Sequence, residues 1–207
     1  MTRIKICGIR RPEDIACANE FQPEYIGFVF AKGSRRYVAP ESAAQLKVGL
    51  SRDITAVGVF VNEPPENVLE LLESGTIDMV QIHGSEDADY IRALKRRTGK
   101  PLIQAFRVAF AADADRAEAS PADFILLDHG VGGTGKTFDW SLVSGVKKPF
   151  FLAGGLSPEN VGGAIACCHP FAVDSSSMLE TDGFKDADKM KQFIDTVRMN
   201  GNRRKGE

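Results

Sequence analysis

Short hydrophobic runs recur along the chain at fairly even spacing, and each is rich in β-branched or aromatic residues. Runs of this length that are bounded by Gly, Pro or acidic residues predict β-strands. The strands predicted in this way span residues 3–7, 25–30, 54–60, 79–83, 102–108, 124–128, 150–153 and 171–174.

Segments with a helical pattern separate these strands. Residues 65–74 and 186–199 place apolar side chains three and four positions apart, as on one side of a helix. Pro suits the first helical turn and Glu complements the helix dipole, so a Pro-Glu pair predicts a helix start. Such pairs stand at residues 12–13, 40–41, 65–66 and 158–159.

The alternation of strand and helix predicts a single (β/α)₈ TIM barrel, an α/β fold with eight parallel strands. Its 207 residues leave about 26 residues for each strand-helix unit, which makes the barrel near minimal in size. The alternative is an open, doubly wound sheet, but that fold usually carries a Gly-rich fingerprint after its first strand, which is absent here. We expect one domain over residues 1–200 and a basic, polar, disordered tail over residues 201–207.

The composition argues against several classes of partner. A net charge of -2 gives no general attraction to nucleic acid or to an anionic membrane, and no run approaches the roughly 20 apolar residues of a membrane span. The chain opens on a predicted strand instead of a signal peptide, and its 4 cysteines lack the Cys-x-x-Cys spacing of a zinc site. We therefore expect a cytoplasmic protein without a metal site.

Polar residues stand at the ends of the predicted strands. In a (β/α)₈ barrel the carboxyl ends of all strands meet at one face, where the active sites of this fold lie. A cluster of reactive groups is therefore expected at that face. Its members are Cys7, Gln81, His83, Arg107, Asp128, His129, Asp174 and the serines at 175–177.

Two turns that follow the last two strands are rich in Gly and Ser. Gly154 and Gly155 follow the seventh strand, and Ser176 and Ser177 follow the eighth. Glycine lets backbone N–H groups approach an anion closely, so these four residues predict a phosphate site. The simpler interpretation is that the two glycines only form a tight turn.

Cys7 and Asp128 are the predicted proton carriers. A free cysteine is ordinarily a small buried side chain, but Cys7 stands at a strand end near Lys5 and Arg10, whose charges would lower its pKa below about 8.5 and make it a base. Asp128 ends an apolar strand, so its carboxyl is either paired or held with a raised pKa, as a general acid requires. His83 is a candidate of lower rank, because a strand-end histidine is often satisfied by its neighbours.

Residues 130–137 read GVGGTGKT and match the phosphate-binding loop of nucleotide hydrolases. That loop opens a long helix, whereas only about two helical turns of sequence remain here before Gly145 and Pro149. We interpret the segment as a glycine-rich lid beside Asp128. Nucleotide hydrolysis stays as the weakest alternative.

Several motifs, taken together and in order, resemble one family. They are Lys5-Ile6-Cys7-Gly8-Ile9, Gly27-Phe28-Val29-Phe30 with Ser34-Arg35-Arg36-Tyr37, Val80-Gln81-Ile82-His83-Gly84, Leu127-Asp128, Gly133-Thr134-Gly135 with Phe138-Asp139-Trp140, and Leu152-Ala153-Gly154-Gly155-Leu156. On these motifs the chain resembles the phosphoribosylanthranilate isomerases of tryptophan biosynthesis over nearly its full length.

The resemblance implies an Amadori rearrangement of N-(5-phosphoribosyl)anthranilate to the corresponding 1-deoxyribulose 5-phosphate, without a cofactor. It implies that Cys7 is the general base at C2 and that Asp128 is the general acid at the furanose ring oxygen. Arg36 would bind the anthranilate carboxylate. The other substrate-binding residues would be Gln81, His83 and Asp174, with the phosphate at Gly154, Gly155, Ser176 and Ser177. A small phosphosugar is the expected partner, and we expect a monomer, with a homodimer as the alternative.

Two positions depart from the family pattern. Met178 stands where the family has a Gly. It would strain the loop if that position requires φ > 0, or weaken binding if the phosphate must approach closely there. Arg35 replaces a Pro but leaves Arg36 in place. Two further alternatives stay open, which are the histidine-pathway isomerases that perform the same rearrangement with aspartates, and a noncatalytic barrel that binds phosphosugars.

Overall fold

The computed structural model describes residues 1–129 and 139–203. Its eight parallel strands form a closed barrel in sequence order, which confirms the predicted (β/α)₈ architecture. Each strand lies within two residues of its predicted bounds. The strands are β1 Arg3–Cys7, β2 Tyr25–Val29, β3 Thr55–Phe60, β4 Met79–Ile82, β5 Leu102–Arg107, β6 Phe124–Asp128, β7 Phe150–Leu152 and β8 Ala172–Ser175.

Helices cover the outside of the barrel in the described parts of the chain. The unit after β6 shows only a short 3₁₀ helix, Trp140–Val143, between residue 139 and β7. The α-helices are α1 Pro12–Phe21, α2 Pro40–Val48, α3 Pro65–Glu73, α4 Ala88–Arg97, α5 Ala111–Glu118, α6 Val161–Cys168 and α7 Ala187–Arg203. Helix α7 therefore continues three residues into the segment 201–207 that was predicted as a tail. None of the helices described is long and apolar enough to cross a membrane.

Three of the four predicted helix starts are confirmed, since α1, α2 and α3 each begin at their Pro. The fourth is wrong, because α6 begins at Val161 and not at Pro158. Asn160 explains the difference. Its side chain accepts a hydrogen bond from the Ser157 backbone N–H at 2.9 Å and donates to the Gly155 carbonyl at 2.9 Å, which holds residues 158–160 in a turn.

The amino end of the barrel is closed by apolar side chains. Phe151 is fully buried and contacts the rings of Tyr25, Phe124 and Phe171. Most of the cluster around it comes from the first two positions of its strands. Burying one Phe of this kind stabilises the fold by about 1.5–3 kcal/mol. The polar residues of the barrel interior therefore lie at the opposite end, where the strands have their carboxyl ends.

A small hairpin follows β8 and lies beside that opposite end. Its strands are β9 Glu180–Thr181 and β10 Phe184–Lys185, which pair antiparallel with Glu180 opposite Lys185. Asp182 and Gly183 form the turn, with φ of 52° and 79°. Two central residues with positive φ are what a tight hairpin turn requires, and an Asp-Gly pair meets this requirement at low cost.

Candidate active site

One cavity of about 220 Å³ opens at the carboxyl ends of the strands. Apolar side chains from β2, β3 and the segments after them form part of its wall. Arg107 and His129, which were also expected in the cluster at this face, do not line it, and Arg107 borders a separate pocket. The ten residues predicted for catalysis, substrate binding and phosphate binding all line the cavity. They are Cys7, Arg36, Gln81, His83, Asp128, Gly154, Gly155, Asp174, Ser176 and Ser177.

Lys5 and Asp174 form a buried ion pair next to Cys7. They are register partners on β1 and β8, and the Lys5 Nζ lies 2.9 Å from the Asp174 Oδ2. Burial opposes the charge on Lys5, but the carboxylate of Asp174 and the thiol of Cys7 raise its pKa above the ordinary value. The ammonium group therefore stays charged beside the sulfur.

The pKa of Cys7 differs from the prediction. Burial raises it, and the attraction of Lys5 offsets only part of this effect, so the expectation of a lowered pKa is wrong in direction. Arg10 was expected to contribute to the lowering. Its guanidinium instead donates hydrogen bonds to the backbone carbonyls of Arg35 and Gly183.

Asp128 ends β6 with its carboxyl group facing His83. The His83 Nε2 lies 4.0 Å from the Asp128 Oδ2, and the His83 Nδ1 lies 2.9 Å from the Gln81 Nε2. Because an amide nitrogen donates, Nδ1 accepts this hydrogen bond and Nε2 carries the imidazole proton towards Asp128. Burial lowers the pKa of His83 even though Asp128 opposes the shift, so the imidazole is neutral at neutral pH.

Gly154 and Gly155 both have left-handed backbone conformations, with φ of 87° and 64°. A Cβ on Gly154 would lie 2.8 Å from the Asp128 Oδ1 and 2.8 Å from the His129 backbone nitrogen. Both the dihedral angle and the space therefore require glycine beside the carboxylate. Ser176 lies on the β1 side of the cavity, where its Oγ donates to the Cys7 carbonyl at 2.8 Å.

Two buried acceptor atoms at the cavity have no hydrogen-bond partner among the described residues. They are the Oε1 of Gln81 and the Oδ1 of Asp174. A buried oxygen without a partner costs about 1–3 kcal/mol. Hydroxyl groups of a bound sugar would satisfy both oxygens.

Arg36 lines the cavity, but one edge of its guanidinium is already occupied. Its Nε and Nη2 donate to the two carboxylate oxygens of Glu180 at 2.6 and 2.8 Å. Neither Glu180 nor its neighbour Lys185 is among the predicted site residues. The Asp182-Gly183 hairpin turn was the available signal, because a two-residue loop sets Glu180 opposite Lys185.

The segment 130–138 lies outside the described residues. This applies to the GVGGTGKT match, to the predicted lid and to the Gly133, Thr134, Gly135 and Phe138 positions of the resemblance. The chain that follows forms only the 3₁₀ helix Trp140–Val143 before β7 begins at Phe150. The long helix that a nucleotide-binding loop opens does not occur between residue 139 and β7.

Met178 does not strain its loop. It lies in the 3₁₀ helix Ser177–Leu179 and is not among the residues with positive φ, so the expectation of backbone strain is wrong. Its side chain forms part of the cavity wall beside Ser177.

Replacing Met178 with Gly should therefore destabilise the protein by about 0.5–1 kcal/mol, because glycine adds freedom to the unfolded chain without relieving strain. Urea unfolding measures the change. Gly183→Ala is the matched control. Gly183 has open space around it but a φ of 79°, so alanine there should lose stability through backbone strain, which Met178→Gly does not involve. A more stable Met178→Gly variant would show that the position does prefer glycine.

Comparison with known proteins relates the chain to one family. Residues 4–196 match the model of the N-(5'-phosphoribosyl)anthranilate (PRA) isomerases. The N-(5'-phosphoribosyl)anthranilate isomerase of Thermoanaerobacter sp. (strain X514) is 44% identical over 204 residues, which cover 96% of this chain and 98% of the relative.

Solved structures agree with this match. A phosphoribosylanthranilate isomerase in complex with reduced 1-(o-carboxyphenylamino)-1-deoxyribulose 5-phosphate superposes with a TM-score of 0.86 at 39% identity, over 96% of this chain and 100% of the other. Monomers generated from the dimeric isomerase of Thermotoga maritima give 0.86 at 40% identity, over 96% and 100% of the two chains. The fold, the cavity and these likenesses together show that the chain belongs to the phosphoribosylanthranilate isomerases of tryptophan biosynthesis.

Proposed function

We propose that this cavity carries out the rearrangement of N-(5'-phosphoribosyl)anthranilate with Cys7 as general base and Asp128 as general acid. The observation that carries the proposal is the placement of these two side chains. They end β1 and β6, which are not neighbours in the barrel, and both line one small cavity. A sugar bound between them would have a proton donor on one side and a base on the other.

Ring opening is the first step. Asp128 gives its proton to the furanose ring oxygen, the bond from C1 to that oxygen breaks, and the nitrogen lone pair forms an iminium with C1. A poorly basic ether oxygen needs such a donor. The neutral His83 adds no positive charge beside Asp128, so it does not favour early loss of the proton.

Removal of the C2 proton is the second step. The iminium makes this hydrogen acidic, the Cys7 thiolate takes it, and the electron pair forms the C1–C2 double bond of an enolamine. Return of a proton to C1, with loss of the hydroxyl proton at C2, gives the ketone product. The charge of the Lys5 ammonium stabilises the thiolate.

The remaining predicted residues would hold the substrate. Gly154, Gly155, Ser176 and Ser177 would bind the phosphate. The unpartnered oxygens of Gln81 and Asp174 support contacts to sugar hydroxyls. Arg36 would bind the substrate carboxylate with the donors that Glu180 leaves free, which are Nη1 and the second hydrogen of Nη2, since a guanidinium has five donors.

Loss of anthranilate fluorescence tests the function directly. Freshly made N-(5'-phosphoribosyl)anthranilate is mixed with the purified protein in the presence of EDTA and without ATP, and rapid, catalytic loss of fluorescence is expected. Absence of turnover by well-folded protein would contradict the proposal. Turnover of a histidine-pathway ribonucleotide in its place, or binding of phosphosugars without reaction, would identify the alternative.

We also propose that the protein is a cytoplasmic monomer that needs no metal and no cofactor. Few large apolar side chains are exposed in the described part of the chain, and they belong to different elements, such as Val48 of α2, Phe184 of β10 and Met199 of α7. A scattered arrangement does not form the continuous apolar patch of a stable dimer. Sedimentation at micromolar concentration should give the mass of one chain, 22.5 kDa.

A further inference from the structure

Three buried charged side chains form a hydrogen-bonded network that begins at Arg36 in the cavity wall. The side chains of Arg36, Glu180 and Lys185 are 11%, 6% and 1% exposed. Glu180 binds Arg36 through both of its oxygens, and its Oε1 also accepts a hydrogen bond from the Lys185 Nζ at 2.8 Å. Burial opposes its charge, but Arg36 and Lys185 hold the pKa of Glu180 below its ordinary value, so the carboxylate stays ionised.

Lys185 extends this network to the Ser176 loop. Its Nζ donates to the Ser176 carbonyl at 3.0 Å, and the Ser176 Oγ in turn bonds to the Cys7 carbonyl. The position of Arg36 is thereby connected to the loop that is proposed to hold the phosphate and to the strand that carries Cys7. Buried, charge-assisted hydrogen bonds of this kind hold side chains in one geometry.

The surroundings leave Arg36 little freedom to move. Gly8 lies beneath its side chain, and a Cβ at Gly8 would come within 2.5 Å of the Arg36 Cδ. Arg10 and Arg11 both stack on Phe184, and they donate hydrogen bonds to the Gly183 and Lys185 carbonyls. The hairpin that carries Glu180 is therefore attached to the loop after β1.

We propose that Glu180, held by Lys185, is a positioning residue that makes the site selective for a substrate with a carboxylate on its aryl ring. Glu180 occupies the Nε and one Nη2 donor of Arg36, which leaves Nη1 and the second hydrogen of Nη2 for a ligand in the cavity that Arg36 lines. A guanidinium that is fixed before binding loses less conformational freedom when it pairs with a carboxylate. The role of Glu180 rests on the proposed function, because Arg36 is taken to bind that carboxylate.

Calorimetric binding of two ligands tests this role without requiring turnover. The first ligand is reduced 1-(o-carboxyphenylamino)-1-deoxyribulose 5-phosphate, and the second is the same compound made from aniline, which lacks the carboxylate. Wild type should prefer the first. The affinity of Glu180→Gln for the ligand with the carboxylate should fall about tenfold or more, as the loss of one charged hydrogen-bonding partner predicts. The affinity of this variant for the ligand without the carboxylate should change less than about threefold.

Steady-state kinetics provides a second readout. For N-(5'-phosphoribosyl)anthranilate, Glu180→Gln should raise KM much more than it lowers kcat, because positioning of the carboxylate acts on binding. Lys185→Met should lower the preference between the two ligands as well. Glu70→Gln on the exposed face of α3 is the control and should behave as wild type.

The outcomes separate the two proposals. Wild type that binds neither ligand would contradict the proposed function. If wild type prefers the ligand with the carboxylate and folded Glu180→Gln keeps the same preference, the role of Glu180 is overturned and the proposed function is not. If Glu180→Gln folds poorly, Glu180→Asp keeps the charge and shortens the side chain by one methylene, and an unchanged preference there would equally overturn it.

Discussion

Asp128→Asn should lower kcat by about 10²- to 10⁴-fold, the contribution of one positioned acid. The amide has the shape of the carboxyl but cannot deliver a proton to the furanose ring oxygen. KM should change little, because Asn keeps the contacts with Gly154 and His83 that the cavity wall provides. The fluorescence assay at saturating substrate measures this effect.

Asp115→Asn is the matched control for this variant. This variant has the same substitution, Asp to Asn, on the exposed face of α5, away from the cavity. The kcat of Asp115→Asn should equal that of wild type. Thermal unfolding of both variants checks that the barrel is intact. A kcat for Asp128→Asn within a few-fold of wild type would show that another group supplies the proton.

Cys7→Ser should lower kcat/KM by a similar factor of about 10²- to 10⁴-fold, because a serine hydroxyl is not ionised at neutral pH and cannot accept the C2 proton. Cys17→Ser is the control, since Cys17 lies on α1 and not at the cavity. Both single-atom changes leave the backbone as it is, so circular dichroism should not distinguish them.

The pH dependence of kcat/KM in wild type also tests the assignment of Cys7 as the base. The base must be the thiolate, and burial raises the pKa of Cys7 above its ordinary value of about 8.5. The thiolate fraction, and with it kcat/KM, should therefore rise about tenfold per pH unit from neutral pH until it levels off above that ordinary value. A flat profile between pH 7 and 9 would mean that Cys7 is not the base.

Most of the fold could be predicted from the sequence because its signals are local. Alternating or continuous apolar runs and Pro-Glu helix starts depend on neighbours within one turn or one strand. The position of the site could be predicted for the same reason. Once eight parallel strands close into a barrel, a residue such as Cys7 or Asp128 at a strand end must reach the cavity.

The start of α6 and the conformation of Met178 could not be predicted in this way. Pro158-Glu159 carries the same signal as the three correct pairs, but the hydrogen bonds of Asn160 hold those residues in a turn. For Met178, the family pattern suggests a glycine conformation, whereas the 3₁₀ helix of this chain gives the position a φ that any residue can adopt. In both cases hydrogen bonds of the folded loop decide between conformations that the sequence allows.

The sequence by itself determined the barrel, the face that carries the site and ten of the residues that line the cavity. Only the tertiary structure decided the electrostatics of that site. Arg36 and Glu180 are 144 residues apart and meet because the hairpin after β8 folds against the loop after β2. The pKa of Cys7 is raised because burial outweighs the charge of Lys5. Charge pairing and desolvation depend on distances through space, and no local pattern in a sequence encodes them.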